Sequence, residues 1–355
     1  MSAAPPADDA GLWTSGASCT PGSLDGLTDP AVRDLAWLLA SPSLLRAQPP
    51  LAPLATPWAT TGELHATTQW LRELDRDPAR LHEVLDSGRP RRLGRYAERL
   101  LAWFLEHGPA GRLVAANVPL RRAGVTLGEC DFLVEVSDGR RLHWELAVKC
   151  YLHAGGAQGR LADFVGPNLR DRFDRKRAHL LNHQLRLGER EEFLALGHAG
   201  PWLPQMFVKG WLFYQAGALA QSGQGKPPEP PELAPDHGRG WWVTQADWPA
   251  FAAHHGASGW SVLPRLAWLA PRRLAGGESA PMEREAEARE AGTGYRAAVA
   301  APVDSRALLE RLPRPDEPVV VAAFVSDGAG GYLERSRGFI VPDDWPARAQ
   351  AFARD

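Results

Sequence analysis

Glu129, Asp131, Glu145 and Lys149 are the residues whose types and spacing could do chemistry. They fall in two neighbouring stretches, Gly128-Glu129-Cys130-Asp131 and His143-Trp144-Glu145-Leu146-Ala147-Val148-Lys149, and both stretches alternate with the strand period of two. In the first, Glu129, Asp131 and Glu135 share one parity, opposed by Cys130, Phe132, Val134 and Val136. In the second, His143, Glu145, Ala147 and Lys149 oppose Trp144, Leu146, Val148 and Cys150. Carboxylates gathered beside a lysine are the parts of a Mg²⁺- or Mn²⁺-dependent phosphodiester hydrolase, because hard oxygen ligands hold the ion and an ammonium assists at phosphate.

The turn Ser137-Asp138-Gly139-Arg140-Arg141 must set the register, and a one-residue change moves every side chain to the other face. A two-residue Asp138-Gly139 turn would set Asp131 opposite Leu146. A three-residue loop centred on Gly139 would set Asp131 opposite Ala147, with Glu145 and Lys149 on the same side. The metal-site reading needs a loop with an odd number of residues.

Lysine usage points the same way. The chain has 36 arginines and four lysines (Lys149, Lys176, Lys209, Lys226). A lysine kept in mid-strand implies a need for a compact ammonium whose pKa can move. A lysine snorkelling from a strand end is the plainer alternative.

Gly128-Glu129-x-Asp131, a hairpin, and an acid and lysine on the next strand resemble the core of the PD-(D/E)XK nuclease superfamily. Gly94-Arg95-Tyr96-Ala97-Glu98 opens a helix where that core carries a glutamate. More of the chain resembles an uncharacterised bacterial domain-of-unknown-function family grouped with those nucleases. The matching phrases are Pro30-Ala31-Val32-Arg33-Asp34-Leu35-Ala36-Trp37, Trp144-Glu145-Leu146-Ala147-Val148-Lys149, Gly166-Pro167-Asn168-Leu169 and Gly238-Arg239-Gly240-Trp241-Trp242. The superfamily's second acid stands two residues before the lysine. That position here is Ala147, and the acid is at Glu145 on the same side of the strand. The resemblance implies Asp131 and Glu145 as metal ligands, Glu98 as an outer or second-metal carboxylate, and Lys149 as the group that orients or deprotonates the attacking water. Lys176 and Gln184, on a helix after the lysine strand, are further candidates. Glu129 reads better as the partner of an arginine.

Composition bounds the partners. A net charge of −2 is no recommendation for nucleic-acid binding. Locally, residues 89–99 hold Arg89, Arg91, Arg92, Arg95 and Arg99 against Glu98 alone. Residues 168–190 hold Arg170, Arg172, Arg175, Lys176, Arg177, Arg186 and Arg190 against three acids. Both flank the acids as a phosphate-binding rim would, with Arg95, Arg172, Arg175, Lys176 and Gln184 the expected contacts and DNA favoured over RNA. Solvated arginine-rich helices read the same way.

Three cysteines (Cys19, Cys130, Cys150) show no metal spacing and read as buried thiols in a reducing compartment. No secretory signal and no span of about 20 apolar residues is visible, so a cytoplasmic protein with no membrane partner is expected. Trp241 and Trp242 could stack on bases, although core tryptophans are commoner. His179/His183 and His254-His255 have metal spacing without accompanying acids and read as solvated. No Walker loop, dinucleotide fingerprint, hydrolase elbow or internal repeat is present. A glycosidase reading of the acids would leave the lysine surplus.

The elements that must position these residues give an α/β (α+β) fold with a mixed central sheet. The divisions expected are a tail at 1–24, a helical region at 25–89, a restriction-endonuclease-like core at 90–215, a sheet and helix extension at 216–275, a linker at 276–300 and a small α/β segment at 301–355. Helices are expected over 30–39, 61–74, 81–87, 93–106 and from an Asn168 N-cap to 187. Strands are expected over 113–120, 130–136, 142–151, 206–214, 241–244, 260–263 and 319–325. The leading function is a divalent-metal-dependent nuclease. The rival is a catalytically inactive nuclease-like module that binds nucleic acid or protein, and a third reading is an unrelated α/β protein whose acids face water.

Overall fold

Apolar strands build a mixed sheet, and helices pack against it. The computed structural model describes residues 26–48, 52–88, 90–155, 159–198, 200–216, 229–275 and 299–355. The expected tail, Cys19 and nearly all of the linker lie outside them.

Four helices come first: α1 (Pro30–Ala40), α2 (Thr61–Arg76), α3 (Ala79–Gly88) and α4 (Leu93–His107). Asp29 caps α1 by accepting from the Ala31 and Val32 N–H groups, with Pro30 in the first turn, where its missing N–H costs nothing. Thr60 and Glu63 close a reciprocal capping box on α2. The apolar stripe of α4 (Ala97, Leu100, Leu101, Phe104) is wholly buried.

An antiparallel meander follows as β1 (Arg112–Arg122), β2 (Val125–Glu135) and β3 (Arg141–His153). The two-residue β4 (Phe164–Val165) pairs with the end of β3. Next come α5 (Phe173–Asn182), a 3₁₀ turn over Gln184–Glu189 and the short α6 (Glu191–Leu194). Asn168 is not the cap of α5: the helix begins five residues later, after Arg172, because Gly166–Asp171 closes on itself with Gly166 N–H donating to the Asp171 carbonyl. β5 (Leu203–Gln215) lies parallel to β3 over eleven paired positions. Its Met206, Val208 and Leu212 bury on one face and its Phe207, Trp211 and Phe213 on the other, as a strand covered on both sides requires.

The sheet continues through β6 (Arg239–Thr244), α7 (Trp248–His255), β7 (Gly259–Val262), β8 (Arg273–Leu274), α8 (Ser305–Glu310), β9 (Val319–Ser326), β10 (Tyr332–Val341) and α9 (Trp345–Arg354). Strand order is β1-β2-β3-β5-β6-β10-β9-β7, with β4 on β3 and β8 on β10. β10 lies between β6 and β9 and was not legible in the sequence, since Glu334, Arg335 and Arg337 interrupt its apolar pattern. Two of those charges are buried: Arg337 donates to both oxygens of Glu334 at 2.6 and 2.9 Å, and to the Trp268, Leu269 and Ala270 carbonyls. Beside them Arg272 pairs with Asp34 of α1 at 2.9 Å, and Asp34 also accepts from Tyr96 of α4. This buried network ties the first helices to the last strands. Among the described residues no helix is long and apolar enough to cross a membrane.

Candidate functional site

The hairpin between β2 and β3 closes with an odd-numbered loop, but not the one expected. Val136 N–H donates to the Arg140 carbonyl, so the loop is Ser137-Asp138-Gly139, centred on Asp138. Gly139, at φ 82°, fills the left-handed last position of a three-residue hairpin rather than its middle. The ladder pairs Glu135 with Arg141 and Phe132 with Trp144. One step further it sets Asp131 against Glu145, not Ala147. The register therefore accounts for the displaced acid: residue 145, not 147, lies across from Asp131.

The alternation of β2 then breaks. Asn117 of β1 sits in the left-handed region at φ 52°, between the pairs Ala116/Phe132 and Val118/Cys130, whose register is unchanged. Cys130 packs with Val118, Leu120, Leu133, Leu187 and Phe193, whereas Phe132 and Val134 pack with α4. Cys130 is thus buried as expected but on the opposite face from Phe132 and Val134, and Cys150 is only half-buried. Glu129 turns towards α4, 3.7 Å from Arg95, in the arginine pairing expected of it. At the break Asp131 Oδ2 accepts the Leu146 N–H at 2.9 Å, and the Asp131 N–H lies 3.4 Å from Glu145 Oε1. Side-chain bonding here replaces the next rung of the ladder.

Glu145 is completely buried. Its Oε1 lies 2.7 Å from His143 Nε2, and its Oε2 accepts from Gln184 Nε2 at 2.8 Å. Lys176 of α5 donates to Gln184 Oε1 at 2.7 Å, so a lysine reaches the acid through one amide. Lys149 instead donates to Asp171 at 2.6 Å, on the oxygen that also accepts from the Tyr151 hydroxyl. Backbone geometry fixes Lys149: Gly210 faces it across β3–β5 at φ 141°, and a side chain at 210 would overlap the Lys149 carbonyl.

Charge is concentrated at the break. Burial, then the carboxylates of Glu145 and Glu98, push Asp131 up to about 8, against the Leu146 N–H and the Lys176 charge. Glu98 is also raised, chiefly by burial; its bond to Arg95 opposes this, and Glu129 and Glu145 add to it. Lys176 is lowered by burial and by Lys149, against the pull of Asp131, Glu145 and Asp171. The structure thus brings Glu98, Asp131, Glu145, Lys176 and Gln184 into one electrostatic group, with Lys149 joined to it through Lys176.

Next to Glu98 opens a cleft of about 560 Å³ lined by Arg91, Arg92, Arg95, Arg99, Glu98 and Asn117. Arg95 bridges Glu98 at 2.6 Å and Asn117 at 2.8 Å. The other basic segment is more committed. Arg172 makes a two-pronged pair with Asp174, both contacts at 2.8 Å, and Arg175 lies over the Phe352 ring. Trp241 and Trp242 are core residues, which excludes base stacking in this fold; Trp242 donates to the His153 carbonyl. His179 and His183 stack on each other, His183 bonding the Leu127 carbonyl. His255 bonds Ser336, and burial lowers it to about 4.

Sequence reasoning missed three members. His143 shares the parity of Glu145, two positions away, and that spacing was a usable signal. Asp171 and Asn117 come from a loop and from the neighbouring strand, and nothing in their local sequence marks them.

Donor chemistry gives a divided answer for a hard divalent ion. Asp131 spends only Oδ2 on the backbone, which leaves Oδ1, and Glu98 is an oxygen donor open to the cleft; both fit Mg²⁺. Glu145 is buried with both oxygens engaged, so it fits such an ion only after releasing His143 or Gln184.

A family model described as Domain of unknown function (DUF1853) matches residues 33–341. Comparison with curated proteins and with solved structures finds no match.

Proposed function

The chain belongs to the DUF1853 family, whose description names no activity, and from its own site we propose that it is a divalent-metal-dependent phosphodiester hydrolase acting on nucleic acid, DNA before RNA. The observation that carries this reading is the juxtaposition of the arginine-lined cleft with the acid group: Glu98 lines the one and raises the pKa of Asp131 in the other. Four arginines along one cleft suit a chain of phosphates, and acids at its end suit the hydrolysis of one of them. The resemblance of the hairpin to PD-(D/E)XK nucleases supports the same reading.

Asp131 and Glu98 would hold the ion, with Glu145 completing the carboxylate set. A bound Mg²⁺ or Mn²⁺ would lower the pKa of water and neutralise charge developing on phosphate. Arg91, Arg92 and Arg95 orient the backbone of the substrate. Lys176, which already interacts with Asp131 and Glu145, supplies positive charge at the acids. Lys149, held by Asp171, orients the attacking water. The inactive binding module is the second reading, favoured by one observation, the engagement of both Glu145 oxygens by protein groups.

The test is cleavage of single-stranded, duplex and branched DNA and of RNA with Mg²⁺ or Mn²⁺, comparing wild type with Asp131→Ala and Lys149→Ala. Metal-dependent cutting lost in both variants supports the hydrolase. Binding without cutting, unchanged in both, supports the module.

A further inference from the structure

We propose that Cys130, His143 and Glu145 form a binding site for a transition-metal ion of the zinc type. The site shares Glu145 with the phosphodiesterase reading but does not rest on it.

Three observations carry the proposal. First, one ligand atom from each of the three residues lies within 4.8 Å of the others, the one such group of three or more among the described residues. Second, the cluster is dry: the three residues are 0, 1 and 0 % exposed. Third, His143 Nδ1 is buried with no hydrogen-bond partner. With Nε2–H given to Glu145, Nδ1 is a bare lone pair in the protein interior, a cost that a folded chain rarely leaves unmet. An ion would displace the Nε2 proton, which the bare Nδ1 accepts, and so stand between the imidazole and Glu145.

The donor set selects the metal. Thiolate, imidazole and carboxylate are the three protein ligand types of zinc, and the sulfur excludes Mg²⁺, which takes hard oxygens and keeps several waters. Charge closes as well. Binding releases the Cys130 proton to solvent, and a thiolate with a carboxylate then balances a dication, so the interior carries no net charge. Gln184 on Oε2 and the Asp131 N–H towards Oε1 fix the carboxylate from outside, the usual second layer around a metal ligand. Three protein ligands leave a fourth position of the tetrahedron.

The break in the alternation of β2 and the register of the hairpin bring the three side chains together. Cys130 packs with Val118 and Leu120 rather than with α4, next to the left-handed Asn117 of the neighbouring strand. With the turn centred on Gly139, Glu145 would lie two positions out of register with Asp131.

The test is metal content of the full-length protein after equilibration with Zn²⁺ and dialysis, followed by Co²⁺ replacement and absorption spectroscopy. The expected result is one tightly held equivalent, not displaced by excess Mg²⁺, and a thiolate-to-cobalt charge-transfer band. Cys130→Ser should lose that band while retaining the wild-type circular dichroism, and His143→Ala should lower the stoichiometry. Glu98→Gln lies outside the triad and should retain Zn²⁺ while losing Mg²⁺-dependent cleavage, which separates failure of this site from failure of the hydrolase reading. Folded wild-type protein that retains no Zn²⁺, or a cobalt spectrum without the thiolate band, overturns the proposal without recourse to any variant.

Discussion

Asp131 and Glu145 face each other across the β2–β3 hairpin, with the Asp131 N–H 3.4 Å from Glu145 Oε1 and the Leu146 N–H bonded to Asp131 Oδ2. Two carboxyl groups this close cannot both ionise freely out of water, and burial with the Glu145 and Glu98 charges pushes Asp131 up to about 8. A cation brought to the pair relieves that repulsion, which is the physical reason such pairs attract metal.

If Asp131 and Glu98 hold the ion, Asp131→Asn and Glu98→Gln should each lower Mg²⁺-dependent cleavage by about 10²–10³-fold, the scale of losing one electrostatic stabiliser. Retained DNA affinity in the same variants, read by fluorescence anisotropy, separates loss of chemistry from loss of fold. Wild-type rates in both variants would remove these residues from the site.

The pH dependence has a defined sign. Asp131 titrates at about 8 when folded and at an ordinary 3.8 when unfolded, so the unfolded chain gives up this proton first. The contribution of this group to stability is fully present below about pH 3.8 and is lost as pH rises to 8. Asp131→Asn should therefore raise the thermal midpoint of the metal-free protein at pH 8 and leave it unchanged near pH 3.5, a gain of at most a few kcal/mol after solvent screening. Metal affinity should fall about tenfold for each pH unit below 8, because the ligand must first lose its proton.

The two lysines can be told apart. Lys176 lowers the pKa of Asp131, so Lys176→Ala should move the pH–rate profile to higher pH as well as lower its maximum. Lys149 is held by Asp171, and Lys149→Ala should lower the maximum by about 10²-fold with the profile in place. Identical profiles in the two variants would contradict this division.

The arginine cleft should show itself in salt. Arg91→Ala with Arg92→Ala should weaken DNA binding similarly for all sequences and reduce the slope of log affinity against log salt by about 2. An unchanged slope would place the phosphates elsewhere.

Stability should depend sharply on Asp34. Its removal in Asp34→Ala strands the buried Arg272 guanidinium and should cost about 3–5 kcal/mol in urea unfolding. Substitution of the exposed pair Arg306–Glu310 should cost well under 1 kcal/mol.

Local pattern alone determined much of this protein. The stripe of α4, the cap and proline of α1 and the alternation of β3 are short-range signals, and each element formed where its pattern placed it, because burial of one face and satisfaction of helix ends are decided within a few residues. Tertiary structure decided the rest. The hairpin register turned on which loop position Gly139 occupied, and the break in β2 at Asp131 put Cys130 on the other face from Phe132. Asp171 and Gln184 reach Lys149 and Glu145 from 22 and 39 residues away, and β10 runs inside the sheet with its buried Glu334 and Arg337 paired to each other. Periodicity shows which side of a strand a residue occupies, but which residues meet there depends on registers and charge pairings that exist only once distant segments have packed.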